Sequence, residues 1–218
     1  MDVRVVCISR TIAAGGEVVG ELVARRLEFR YVDEQIVALA AREAQADPEL
    51  VAAAEHRQPL LQRLLEKLPS LHGLTGAVTL ATGVPVDAFA GAAASSRDVP
   101  EDMRVLIRAA IHEVARAGRA VIVAHAASMA LAGVEGVLRV LVTAPIEVRA
   151  RRLVAAEGLA AAEAEAAIAS SDRERRDYLR RFYAVKEELP THYDVVFNTE
   201  VLTTEQAAAA VVAAARAS

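Results

Sequence analysis

The stretch from Val6 to Gly20, VCISRTIAAGGEVVG, sets a cationic side chain, Arg10, ahead of a glycine pair, Gly15 and Gly16, with a carboxylate, Glu17, directly after it. An apolar run that turns through small residues into a helical pattern is a way to aim backbone N–H groups at phosphate oxygens. In a turn of the form G-x-x-x-x-G-K-[ST], the lysine adds charge and the hydroxyl reaches Mg²⁺. Gly16 and Glu17 hold those two positions here. The turn is therefore expected to keep its amides while lacking both charge-bearing residues, leaving Arg10 to replace part of the lysine charge. A plainer reading stays open beside this one: a β-to-α turn with Arg10 solvated and Glu17 suited to the positive end of the helix dipole.

Other chemistry has little support. Cys7 stands alone and His56, His72, His112, His125 and His192 are scattered, so no metal-ligand spacing occurs. Neither G-x-S-x-G nor a G-x-G-x-x-G after the first strand is present. This argues against a hydrolase or a dehydrogenase.

The elements that must position the turn read as a parallel α/β arrangement. Short β-rich runs at Val3 to Ile8, Ala120 to Ala124, Val137 to Thr143 and Asp194 to Phe197 alternate with long helical patterns, and a weaker run at Arg30 to Val32 adds a strand. In VRVVCI, AVIVA and VLRVLV the apolarity is continuous rather than alternating, which suits strands covered on both faces. Asp98 to Asp102 are expected to cap a helix running to about Ala117, with Gly118 as its stop. The charged segment from Leu159 to Tyr183 reads as a further helix. Residues 69–100 mix Gly, Pro, Ser and apolar side chains without steady periodicity and read as a flexible insertion.

Composition narrows the partners. A net charge of −4 argues against broad binding to nucleic acid or to an anionic membrane, though local arginines can still hold a small anion. The N-terminal apolar run is too short for a signal peptide or a membrane span, and one cysteine makes no intrachain disulfide, so a reduced, cytoplasmic setting is expected.

The order of these parts resembles the cytidylate kinase-like family of P-loop nucleoside monophosphate kinases over nearly the whole chain. ISRTIAAGGEVVGELVARRL is similar to that family's strand, glycine turn and first helix, and YVDEQIV to the step after its second strand. AVIVAHAASMAL, VLRVLVTAPIEVRARRL and YDVVFNTEVLTTEQA resemble its later segments in the same order. The resemblance implies a three-layer α/β/α fold with a central, mostly parallel sheet, a single domain over residues 1–218 and a helical lid at about 159–183. It further implies transfer of a phosphoryl group from ATP, with Mg²⁺, to a nucleoside monophosphate, nominally CMP or dCMP.

Carried over residue by residue, it assigns Ser9, Arg10, Gly15, Gly16 and Glu17 to the nucleotide turn, and Arg149, Arg152, Asp172 and Arg175 to the transfer step. Asp33, Arg104 and His125 fall to the acceptor, Arg104 standing 21 residues before His125. For Asp33 a helix cap, for Arg104 a solvated helix surface, for His125 strand-end packing and for Asp172 with Arg175 an intrahelical ion pair are the alternatives. No metal-ligating residue is assigned.

Three departures qualify the resemblance. Ala13 and Ala14 stand where the family has Gly-Ser, so a backbone of positive φ would be strained. Glu17 stands where it commonly has Arg, and Ala124-His125-Ala126 replaces Gly-Arg-Gly. They keep open a second reading, a catalytically impaired kinase-fold protein that binds nucleotide or a protein partner. Residues 70–96 carry seven large apolar side chains but a single charge, Asp87, and are expected to mediate a homodimer; folding back over the cleft or a disordered loop are the alternatives.

Overall fold

The structure, a computed structural model, describes residues 2–33, 101–124 and 126–217. The chain forms two compact units, one from Met1–Glu34 with Gly118–Ser218 and one from Gln35–Ala117. In the second unit the described element is helix α2 (Glu101–Ala117), which begins within the expected cap segment, ends at the expected residue and is followed by Gly118 at φ 69°. The insertion at 69–100 and the dimer surface at 70–96 lie outside the described residues.

The first unit is built on a five-stranded sheet of β1 (Val5–Arg10), β2 (Arg30–Asp33), β3 (Ala120–Val123), β4 (Val137–Thr143) and β5 (Val195–Asn198). The strands run in the order β2-β3-β1-β4-β5, all pairs parallel. β1 sits at the centre, and its first five residues are buried. That explains the unbroken apolar run in the sequence, since a parallel strand covered on both faces has no polar side.

Helices α1 (Gly16–Leu27) and α6 (Thr204–Arg216) cover one face. Val19 and Val23 of α1 and Val211 of α6 join Val6, Ile8, Val121, Val140 and Phe197 in one apolar core. Gly20 lets α1 approach β3 closely, because a Cβ there would lie 2.4 Å from Val123 Cγ2. The opposite face carries buried Val5, Cys7, Ser9 and Ile122. Short helix α3 (Ala127–Ala130) is joined to it through Ser9 and Ser128. Helices α4 (Ile146–Glu157) and α5 (Ala161–Tyr183) pack on each other through Ala150, Leu153, Ala164 and Ile168, with Ile12 and Ala13 against that cluster.

The strand register brings the carboxyl ends together: Arg10 pairs with Val142, Asp33 with Val123 and Thr143 with Asn198. The chain passes to β2 and β3 on one side of β1 and to β4 and β5 on the other. The crevice at the carboxyl end of β1 is thus where an open parallel sheet receives its ligand. Among the described residues, no helix is long and apolar enough to cross a membrane.

Candidate nucleotide site

The turn between β1 and α1 closes on itself. Thr11 N–H donates to Val142 O at 3.1 Å and Ala14 N–H to Thr11 O at 3.2 Å. Ala13 lies at φ 57° and Gly15 at φ 82°, so the strain expected of an alanine in this turn falls on Ala13. Ala14 instead goes into the core. Gly15 caps α1 without any side-chain hydrogen bond, whereas Thr203 and Gln206 close a reciprocal capping box on α6. The amides of Gly16, Glu17 and Val18 have no intrahelical acceptor, as at any helix start, and no cap consumes them.

The carbonyls of the turn are held from behind. Thr199 Oγ1 donates to Ala14 O at 2.8 Å, and Arg152 Nη1 donates to Ala13 O at 3.3 Å and to Thr199 Oγ1 at 3.0 Å. Thr199 is itself fixed by its N–H, which donates to Thr143 O at 2.8 Å. Two carbonyls tied down on the β5 side fix the peptide planes of the loop between them.

Arg175, from α5, reaches the entrance of the turn. Its Nη1 donates to Arg10 O at 3.2 Å, Nε to Glu188 Oε2 at 2.9 Å and Nη2 to Tyr193 Oη at 3.2 Å. Tyr193 Oη donates in turn to Glu188 Oε1. Burial works to raise the Glu188 carboxyl, but Arg175 and Tyr193 outweigh it and hold it below the ordinary carboxylate range. Burial pushes the Tyr193 phenol up, so it remains a donor. Arg149 is bound as fully: Nη1 and Nη2 grip the two oxygens of Asp172 at 2.9 and 2.7 Å, and Nε donates to Ala144 O at 2.9 Å. Asp172 and Arg175, read in the sequence as a pair, thus take separate partners.

Arg10 is held differently. Its Nε stands 2.6 Å from Glu17 Oε1, yet among the described residues this buried nitrogen has no well-aligned hydrogen-bond acceptor. Its stem lies over Gly16, where a Cβ would meet Arg10 Cβ at 2.6 Å and Cδ at 3.1 Å. One turn further along the same face of α1, beside Gly20, burial and then the charges of Asp33, Glu17 and Glu21 push the Tyr31 phenol upward against the opposing charge of Arg10. That side of the turn is acidic, with Arg10 the cation opposing it.

The structure therefore gathers Ser9, Arg10, Gly15, Gly16, Glu17, Arg152 and Arg175 at the carboxyl end of β1. Asp33 ends β2, two strand positions away. Arg104 lies in the first turn of α2, its side chain outside what is described; His125 also lies outside the described residues. Ser9 is fully buried and donates to Ser128 Oγ at 3.0 Å, so its hydroxyl is used within the fold. Thr199, Glu188, Tyr193 and Ser128 were not singled out from the sequence. Thr199 falls in the Asn-Thr turn of the last matched segment, the one signal that marked it; Glu188, 13 residues from Arg175, carries no spacing cue.

These features define a kinase-like P-loop protein of three-layer α/β/α type. A family model matches residues 5–201, and the chain belongs to the cytidylate kinase-like family. Among solved structures it is similar to an uncharacterized protein from Eubacterium ventriosum, at 15% identity and a TM-score of 0.64, each chain covered in full. It is also similar to shikimate kinases from Bacteroides thetaiotaomicron (17% identity, TM-score 0.49, 98% of this chain and 97% of that one) and Acinetobacter baumannii (12%, 0.48, 99% and 94%). No curated protein matches the sequence.

Among the described residues, no cluster of three or more His, Cys, Asp or Glu side chains is placed to hold a metal ion. The carboxylate at the turn, Glu17, is committed to Arg10. Among the described residues, none at the turn is thus placed to hold Mg²⁺ directly.

Proposed function

We propose that the protein is an ATP-dependent phosphotransferase acting on a nucleoside monophosphate, with CMP or dCMP as the first acceptors to try. The observation that carries this reading is the turn itself. Its helix-start amides are uncapped, its carbonyls are tied back by Arg152 and Thr199, and a cation lies beside it at the carboxyl end of the central strand. Phosphoryl transfer is mostly positioning and charge neutralisation, which such a turn supplies through backbone donors. In this reading Gly15 and Gly16 present amides to the donor phosphates and Arg10 faces them. Arg149, Arg152, Asp172 and Arg175, assigned to transfer by resemblance, act instead by bracing the turn and the α4–α5 pair, because their terminal charged groups are already bound within the protein.

A coupled kinase assay over all ribo- and deoxyribonucleoside monophosphates tests the proposal, with turnover on at least one acceptor expected. Folded protein that turns over none of them would overturn it. The Arg10–Glu17 pair favours a second reading, a kinase-fold protein that binds nucleotide or a protein partner without transfer, since that pair leaves the turn nearly neutral. Calorimetry with ATP and with CMP separates the two: binding of both together with turnover rejects the second.

A further inference from the structure

Among the described residues, Arg10, Arg152 and Arg175 stand at the turn and Arg149 on the neighbouring α4, and all but Arg10 are closed. Arg149 is held by a two-point grip on Asp172 and a carbonyl, Arg152 by Ala13 and Thr199, and Arg175 by Glu188, Tyr193 and Arg10 O. Arg149 and Arg175 side chains are only 4% and 5% exposed. None of these can turn to a ligand without leaving a buried charge or carbonyl unsatisfied.

Arg10 differs in each respect. Its pairing is with a single carboxylate that is 46% exposed, and its Nε is not aligned with that carboxylate for a hydrogen bond. Its stem occupies the space over Gly16 that any side chain at that position would need. A lysine at position 16 would start from the helix; here the cation comes across from the end of β1 to the same α-carbon. Gly16 is required by this crossing as much as by the turn.

We propose that Arg10 is the phosphate-facing cation of the turn, delivered from β1 across Gly16, and that Glu17 is its built-in counter-anion, which an incoming phosphate must displace. This rests on the nucleotide-binding part of the function proposed above. The carboxylate keeps the lone cation charge-balanced while the turn is empty and competes directly with the ligand when it is not. An anion of high charge therefore releases Glu17 more readily than a weakly charged one, and affinity for polyphosphates outruns affinity for monophosphate.

Calorimetric titration with ATP, inorganic pyrophosphate and inorganic phosphate into the full chain tests this on the wild type, Glu17→Gln, Arg10→Ala and the double variant. Glu17→Gln is expected to tighten ATP and pyrophosphate binding about fivefold, the scale on which a half-exposed pair shifts an equilibrium. Arg10→Ala is expected to weaken both about tenfold or more, as loss of a charged donor to phosphate does. In the double variant the gain from Glu17→Gln should vanish, because Glu17 then has no cation to withhold. Gly16→Ala, which pushes on the Arg10 stem, should weaken binding in the same direction.

Arg10→Ala binding pyrophosphate as tightly as the wild type would overturn the proposal, as would a gain from Glu17→Gln that persists without Arg10. Absence of any anion binding in all variants would overturn it too. Pyrophosphate binding with the expected pattern, but no turnover with any acceptor, would leave this inference standing and remove the kinase reading alone.

Discussion

The two sides of one turn are built on opposite principles. Behind it, Arg152, Thr199 and Arg175 donate to the carbonyls of residues 13, 14 and 10, and each also binds a second partner. In front, Arg10 and Glu17 make one ion pair at a partly solvated surface. A buried charge with several partners cannot be freed without a large desolvation penalty, whereas a half-exposed pair is nearly neutral to exchange. The difference teaches that an arginine near a phosphate-binding turn is identified as a ligand by what else it is bound to, and proximity alone does not decide it.

The largest effect that bears on this contrast is expected from Glu188→Gln. It removes the charge facing Arg175 while keeping the shape, and stranding a buried cation costs about 3 kcal/mol or more. Urea unfolding measures it. The Glu188 carboxyl is held below its ordinary value of 4.5, so its contribution is present above that value and lost as pH falls through the lower folded value. Stability of the wild type should fall with acid in that window, and the variant should lose part of that slope. Among the described residues Asp194 makes a second contribution of this sign, since burial that would raise its carboxyl is outweighed by its bonds to the Arg139 side chain and backbone. A variant as stable as the wild type would place Arg175 among the exchangeable arginines and break the comparison.

Next comes the Arg149–Asp172 grip. Asp172→Asn should destabilise by about 2–3 kcal/mol, while Arg149→Met with Asp172→Leu should recover much of that loss, because a buried pair is often replaceable by apolar side chains of similar size. Full recovery without loss of nucleotide binding would confirm a bracing role, and lost binding in a stable double variant would return Arg149 to the ligand. Thr199→Val removes the hydroxyl that donates to Ala14 O and accepts from Arg152, for an expected loss of about 1–2 kcal/mol in the same unfolding measurement. Arg10→Ala, which loses a stem packed over Gly16 and a pairing with a half-exposed carboxylate, should cost only about 1 kcal/mol of stability while changing affinity.

Much of this scaffold was legible in the sequence. The short β-rich runs located all five strands to within two residues, with β4 matched at both ends. In β1, β3 and β4 burial on both faces makes the apolar run continuous, while the edge strands β2 and β5 are only partly buried and gave shorter runs. The charged helix was found two residues long at its start, at Leu159 instead of Ala161, since no strong N-cap residue marks that end. Helix α3, one turn of ASMA, was not foreseen: four residues carry no periodicity. At the site, the turn and its strained alanine were readable because glycine spacing and φ are local properties. The partners of the arginines were not. Asp172 and Arg175 sit three residues apart on α5 and suggest a local pair, yet tertiary packing sends one to α4 and the other to Glu188 and Tyr193. Which carboxylate an arginine meets depends on how helices stack, and spacing along one helix does not contain that.

The smallest effect tests the turn between the two sides. Ala13→Gly should stabilise the fold by about 0.3 kcal/mol. Three terms decide the sign. A non-glycine residue at φ 57° carries a left-handed penalty of about 1–2 kcal/mol, which glycine relieves. Against this, glycine costs about 0.5–1 kcal/mol more chain entropy on folding. The methyl group, half-buried against the α4–α5 cluster, forfeits roughly 0.4 kcal/mol, half the value of a buried methylene. The balance is narrow but positive, and thermal unfolding of the variant measures it. A clear loss of stability would mean that the Ala13 methyl is wedged into the α4–α5 cluster more firmly than the backbone is strained. The alanine would then be one more clamp from behind, and the turn would belong wholly to the rigid side of the comparison.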